Sequence, residues 1–182
     1  MKHVLITIAA VVLVGCGESQ QSAPLPVSKP AEPAAEAATP ELPSAKPPDI
    51  SIHDAVEKGN IEAVKYHLIA GTKVDAKNDV GWTPLQMAAG EGQKEIAELL
   101  IAKGADVNAM TADGLTALFA AILGPNKEIV ELLIAGGADV NAKYGGFWSP
   151  LDAATNPDNP NDTAEITDLL RKHGGKTGEE LK

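Results

Sequence analysis

The order of apolar and polar positions divides the chain into three stretches. Residues 4–14 are apolar except for Thr7. Residues 17–48 hold few large apolar side chains and are dominated by Ala, Pro, Ser and Glu. From residue 49 onward apolar positions return at helical spacing, as in Ile96, Leu99 and Leu100 and again in Ile129, Leu132 and Leu133. Ahead of each of these helices the pattern predicts a shorter one. Thr83, Thr116 and Ser149 suit the N-cap, and Pro84 and Pro150 suit the first helical position. Small residues come after them, Ala88 and Ala89 or Ala121, and allow close packing. Gly104 and Gly137 end the longer helices, and Asp-Val-Asn-Ala then enters a turn.

These units repeat. Gly81-Trp82-Thr83-Pro84-Leu85 returns as Gly114-Leu115-Thr116-Ala117-Leu118, thirty-three residues later, and Trp148-Ser149-Pro150-Leu151 is a third copy. Gly104-Ala105-Asp106-Val107-Asn108-Ala109 returns at the same interval as Gly137-Ala138-Asp139-Val140-Asn141-Ala142, with a looser copy at residues 71–76. A thirty-three-residue period carrying T-P-L and G-A-D-V-N-A resembles the ankyrin repeat. The resemblance covers residues 49–175 and implies an all-α solenoid of about four helix-turn-helix units joined by β-turn tips. The units fall at about residues 49–78, 79–111, 112–144 and 145–175. No unit can bury its apolar face alone, so stability comes from stacking neighbours.

Both ends of the stack carry altered residues. Ala97 and Ile101, then Val130 and Ile134, give way to Thr167 and Arg171 in the last unit, while Tyr66 and His67 stand where later units have Leu-Leu. Both changes read as caps. The last unit is also four residues longer, the extra length falling at residues 156–162, rich in Asn and Asp. Calcium takes such oxygen ligands, but the EF-hand order of acids, glycine and terminal glutamate is absent. A solvated insertion of turn-forming residues is the simpler reading.

The first stretch reads as an address. A charge at Lys2 precedes the apolar run, whose eleven residues would span roughly 16 Å as a helix against about 30 Å of bilayer hydrocarbon. That length fits a signal peptide rather than a membrane span. It ends in Leu13-Val14-Gly15-Cys16, which resembles the lipobox of bacterial lipoprotein precursors. The resemblance implies cleavage after residue 15 and lipidation of Cys16; the alternative is a secreted protein whose cysteine falls there by chance. Several acyl chains would anchor firmly, each buried methylene contributing about 0.8 kcal/mol. Gly17, where enterobacterial lipoproteins retained at the inner membrane carry Asp, leans the expected location towards the outer membrane, facing the periplasm. Residues 16–48 hold eight of the thirteen prolines and little to bury. They are expected to form a disordered spacer, at most roughly 100 Å long, between the anchor and a folded domain at residues 49–182.

Charge and composition narrow the partners. The chain of 182 residues has a formal net charge of −10 and a single arginine, Arg171, which argues against nucleic acid. Cys16 is the only cysteine, and His3, His53, His67 and His173 are scattered without ligand spacing, so no metal site is expected. Neither a nucleophile elbow, nor an H-E-x-x-H motif, nor a phosphate-cradling loop is present. The expectation is therefore a binding protein without enzymatic activity or cofactor, monomeric, touching the membrane only through its lipid.

Its partner would be another protein, and the acidic charge favours a basic one. Trp82, Leu115 and Trp148 occupy one phase of successive units, where ankyrin tips point into the binding groove. Phe147 and Tyr144 lie beside them, with Met110 in a turn and Met87 on a first helix. The competing reading is that each tip side chain packs on its neighbour. Two functions fit such a face: a scaffold or protective holder for an envelope protein, or an immunity protein neutralising a toxic enzyme in the periplasm.

Overall fold

The computed structural model describes residues 49–182, apart from Pro125, Pro160 and Asp162. The signal peptide, Cys16 and the spacer all lie outside the described residues. Among the described residues, eight helices form four pairs: α1 (Ile52–Glu57) with α2 (Ile61–Ile69), α3 (Pro84–Glu91) with α4 (Lys94–Ala102), α5 (Ala117–Leu123) with α6 (Lys127–Ala135), and α7 (Pro150–Thr155) with α8 (Ala164–Lys172). The first helices pack in the order α1, α3, α5, α7, and the second in the order α2, α4, α6, α8. Among the described residues there is no strand, only an isolated antiparallel bridge between Tyr144 and Trp148. This is the all-α repeat solenoid expected from the period.

Each first helix starts where the hydroxyl residues predict. Ser51, Thr83, Thr116 and Ser149 accept a hydrogen bond from the amide three residues on. In three helices the third helical residue reciprocates towards the cap amide: Asp54, Gln86 and Asp152. In α5 that position is Phe119, which has nothing to donate or accept. After the second helices the chain must turn sharply, and Gly104 and Gly137 do so at φ 85° and 87°, where a Cβ would be strained.

Stacking builds one core. Leu85, Leu118 and Leu151 lie at corresponding positions of α3, α5 and α7, with Ala88, Ala121 and Ala154 letting the helices approach. Ile96, Ile129 and Ile166 do the same on the second helices, with Leu100, Leu133 and Leu170. None of these helices is long enough to stand alone in water, so burial between neighbours holds them.

The recurring Asp-Val-Asn turn is a ladder between units. Asp75 Oδ1 accepts from the amide of Asp106 (3.1 Å), and Asn108 Oδ1 from that of Asp139 (2.8 Å). Asn108 also donates to the carbonyl of Gly137 (3.0 Å). Asn141 repeats both bonds towards the tail, accepting from Lys176 N (2.9 Å) and donating to Gly174 O (3.2 Å). The stack thus ends in the opening residues of a further turn, an extension that the cap positions did not foretell. Those positions behave as polar ends: Arg171 is exposed and Thr167 half-buried, whereas Val130 and Ile134 are buried. At the other end, His67 Nε2 donates to the carbonyl of Ile50 (2.7 Å).

The Asn-rich insertion turns its amides inward. Asn159 Nδ2 donates to the carbonyls of Ile122 (3.2 Å) and Ala153 (3.1 Å), and Asn161 Nδ2 to that of Leu123 (2.9 Å). Thr163 donates to the carbonyl of Ala154. The loop therefore satisfies carbonyls at the ends of α5 and α7.

Candidate functional site

The tips between units are small hairpins closed in different ways. In the tip before α3, Asn78 Oδ1 accepts from the amides of Val80 (3.1 Å) and Trp82 (2.9 Å). In the next, Thr111 Oγ1 accepts from Leu115 N (3.1 Å). The corresponding residue of the last tip is Tyr144, whose backbone alone closes the hairpin, in a reciprocal pair with Trp148 (2.8 and 3.1 Å). Adjacent tips lie against each other. Gly145 N donates to Asp113 O (2.7 Å), and a Cβ at Gly114, which sits at φ 85°, would come within 2.6 Å of the Lys143 carbonyl oxygen.

Each first helix reaches forward to the next turn, tip or tail of the chain. His53 Nε2 donates to the carbonyl of Ala76 (2.8 Å). Gln86, fully buried, accepts from Thr83 N (2.8 Å) and donates to the carbonyls of Ala109 (2.9 Å) and Leu115 (2.8 Å). Phe119 instead packs its ring on Tyr144, centroids 5.1 Å apart. Asp152 Oδ2 accepts from the amide of Gly178 in the tail (2.7 Å), besides Ser149 N and Oγ. Burial pushes the Asp152 carboxyl up, but these three bonds outweigh it and hold its pKa below the ordinary value.

Of the side chains singled out by phase, the three at the tips do not present equal surfaces. Leu115 is buried and belongs to the core. Trp82 is half-buried against the core and covers Gly90; a Cβ on that glycine would touch the indole at 3.9 Å. Met87 is half-buried, with its sulfur 3.7 Å from Asn78 Nδ2. Trp148 (37% exposed) and Phe147 (62%) face solvent, as does Tyr144 (37%). Phe147 and Trp148 meet edge to face at 6.4 Å. Half of the six aromatic residues of the chain therefore sit in five positions of one tip. The C-terminal tail runs along the other side of Phe147 and Trp148, where Gly178, Glu179 and Lys182 line a shallow recess with them.

Two groups of residues were not legible as functional from motifs. Gln86 and Phe119 hold the same helical position as Asp152, thirty-three residues apart, and the change of chemistry at a fixed repeat phase is the signal that marks them. Nothing in the sequence pointed to the tail. Among the described residues, no group of three or more His, Cys, Asp and Glu is placed to hold a metal, and no helix is long and apolar enough to cross a membrane.

Stacked helix pairs with laddered turns and projecting tips define a helical-repeat protein whose working surface is its exposed side chains. The family model for ankyrin repeats, in three copies, matches residues 52–144, half of the chain, and the protein belongs to the ankyrin-repeat family. Stacks of this kind bind other proteins along their extended concave surfaces. Over 52 residues, 29% of this chain, it is 40% identical to human protein phosphatase 1 regulatory subunit 27 and 39% identical to the mouse protein of that name. The chain spans about a third of the length of these curated relatives.

Proposed function

We propose that this protein is a lipid-anchored binding protein of the bacterial cell envelope, without catalytic activity, that holds a partner protein on the tips of its repeats. The observation that carries the binding surface is the last tip, where Tyr144, Phe147 and Trp148 stand exposed in a chain with 3% aromatic residues. Exposed aromatic clusters serve association, since tryptophan and tyrosine are over-represented at binding hot spots. The relatives are named as regulatory subunits, which supports a role through binding rather than catalysis. Lys2, the apolar run and Leu13-Val14-Gly15-Cys16 support the anchor, and the proline-rich residues 17–48 support a spacer holding the stack away from lipid.

A single experiment addresses both halves. Cells expressing the full chain or Cys16→Ser are labelled with palmitate, fractionated and cross-linked, and the captured protein is identified. The full chain is expected to carry label, to sediment with membranes and to capture one envelope protein reproducibly. Label on Cys16→Ser would overturn the anchor. Capture unaffected by Phe147→Ala and Trp148→Ala together, with the stack still folded, would overturn the binding face.

A further inference from the structure

Beside the last tip lies an open recess of about 480 Å3, lined by Asp113, Tyr144, Gly145, Phe147 and Trp148. Three of the five are aromatic and one is a carboxylate. The geometry points to a site for the guanidinium of an arginine side chain on a partner protein. This goes one step beyond the protein-binding reading, on which it rests, by naming the chemistry of the group that is held.

The recess is built rather than incidental. Tyr144 and Trp148 are paired backbone to backbone, so their side chains start from a fixed hairpin. Phe119 supports the Tyr144 ring from beneath at 5.1 Å, with the planes tilted by 47°. Phe147 stands almost perpendicular to Trp148, at 77°, so the two offer surfaces facing different directions. Asp113 belongs to the neighbouring tip and is held beside them by its carbonyl, which accepts from Gly145 N (2.7 Å). Asp113 makes no ion pair among the described residues. A carboxylate lacking a cation beside aromatic faces that carry negative potential attracts positive charge from two sources at once.

Guanidinium suits this combination better than ammonium. It is planar, weakly hydrated, stacks on aromatic rings and meets a carboxylate with two parallel donors. The one arginine of the chain, Arg171, lies in the last turn of α8 and does not line the recess. The formal net charge of −10 would draw a basic partner from a distance.

The test uses the two indole N–H signals of the full-length protein in a proton–nitrogen correlation spectrum, Trp148 being identified by its loss in Trp148→Phe. The probe is a six-residue peptide alternating glycine and arginine, compared with the same peptide carrying citrulline, which keeps the shape and removes the charge. The arginine peptide is expected to shift the Trp148 signal saturably and to bind roughly fivefold or more tightly than the citrulline peptide. Asp113→Asn and Phe147→Leu, with otherwise unchanged spectra, are each expected to weaken it several-fold. Equal binding of the two peptides, no saturable shift of Trp148, or indifference to Asp113→Asn would each overturn the site. Partner capture that survives Asp113→Asn but is lost in Trp148→Ala would sink the arginine site and leave the protein-binding face standing.

Discussion

The joint at the tip before α5 and the joint at the tip before α7 use the same helical position with opposite chemistry. At the first, Gln86 is fully buried and spends all three of its hydrogen bonds on the backbone, two of them on the turn and tip that lead into α5. Such a joint is directional, and the tip it holds ends in Leu115, itself buried. At the second, Phe119 meets Tyr144 ring to ring, a contact with a loose preference for angle. The tip it supports keeps Tyr144, Phe147 and Trp148 at the surface. The polar joint holds a tip whose last side chain, Leu115, is buried, whereas the aromatic joint carries a tip whose Tyr144, Phe147 and Trp148 stay exposed.

The aromatic joint is the easier one to break. Phe119→Ala is expected to cost about 3 kcal/mol or more, from the lost burial and the cavity left under Tyr144, read from the urea midpoint of the full chain. Phe119→Leu should cost about 1 kcal/mol. A loss well under 1 kcal/mol in the alanine variant would mean that the fourth unit is held by its other contacts.

The polar joint should fail by a different mechanism and somewhat less severely. Gln86→Ala leaves the Ala109 carbonyl and the Thr83 amide without their partner and the Leu115 carbonyl with the Thr111 amide alone, an expected cost of about 2 kcal/mol. Because the loss is of hydrogen bonds, amide exchange at residues 109–115 should accelerate more than elsewhere. Uniform acceleration would count against a localised joint.

The two tryptophans separate packing from presentation. Trp148→Ala is expected to weaken partner capture about tenfold, equivalent to about 1.4 kcal/mol, while moving the urea midpoint by no more than about 0.5 kcal/mol. Trp82→Ala should show the reverse balance, since its ring lies on the core and over Gly90. Equal effects of both on stability would return Trp148 to a packing role.

The smallest expected effect concerns the tail. Asp152 has a folded pKa below its ordinary value of 3.8, so its contribution is complete above that value and is lost as pH falls through the folded one. The tail bond at Gly178 should accordingly loosen in acid, below about pH 4. Asp152→Asn should cost about 1 kcal/mol at pH 7, through the weakened capping box, and reduce the loss on acidification. Proteolysis of the C-terminal residues at pH 7 and pH 3 would show it.

Much of this molecule was legible beforehand because its information is local and repeated. Thr83, Thr116 and Ser149 cap helices for reasons contained within four residues. Gly104 and Gly137 turn the chain because an L side chain is strained at their φ. The Asp-Val-Asn string recurs because Asn108 and Asn141 each bridge to the next turn. A period of thirty-three residues multiplies such signals until they specify the solenoid.

The exposure of each tip side chain was not legible in that way. Trp82, Leu115 and Trp148 share one phase and differ in burial because exposure depends on what the neighbouring unit places against each of them. Gly90 leaves room for the Trp82 ring and the core closes over Leu115, whereas Trp148 and Phe147 stay 37% and 62% exposed. The repeat, its caps and its turns depend on residues close along the chain and are therefore written in their order. Which aromatics are core and which form a surface is settled in three dimensions, because Asp113 and Phe119 are distant along the chain from Tyr144 and Gly145 and meet them only where one tip packs on the next.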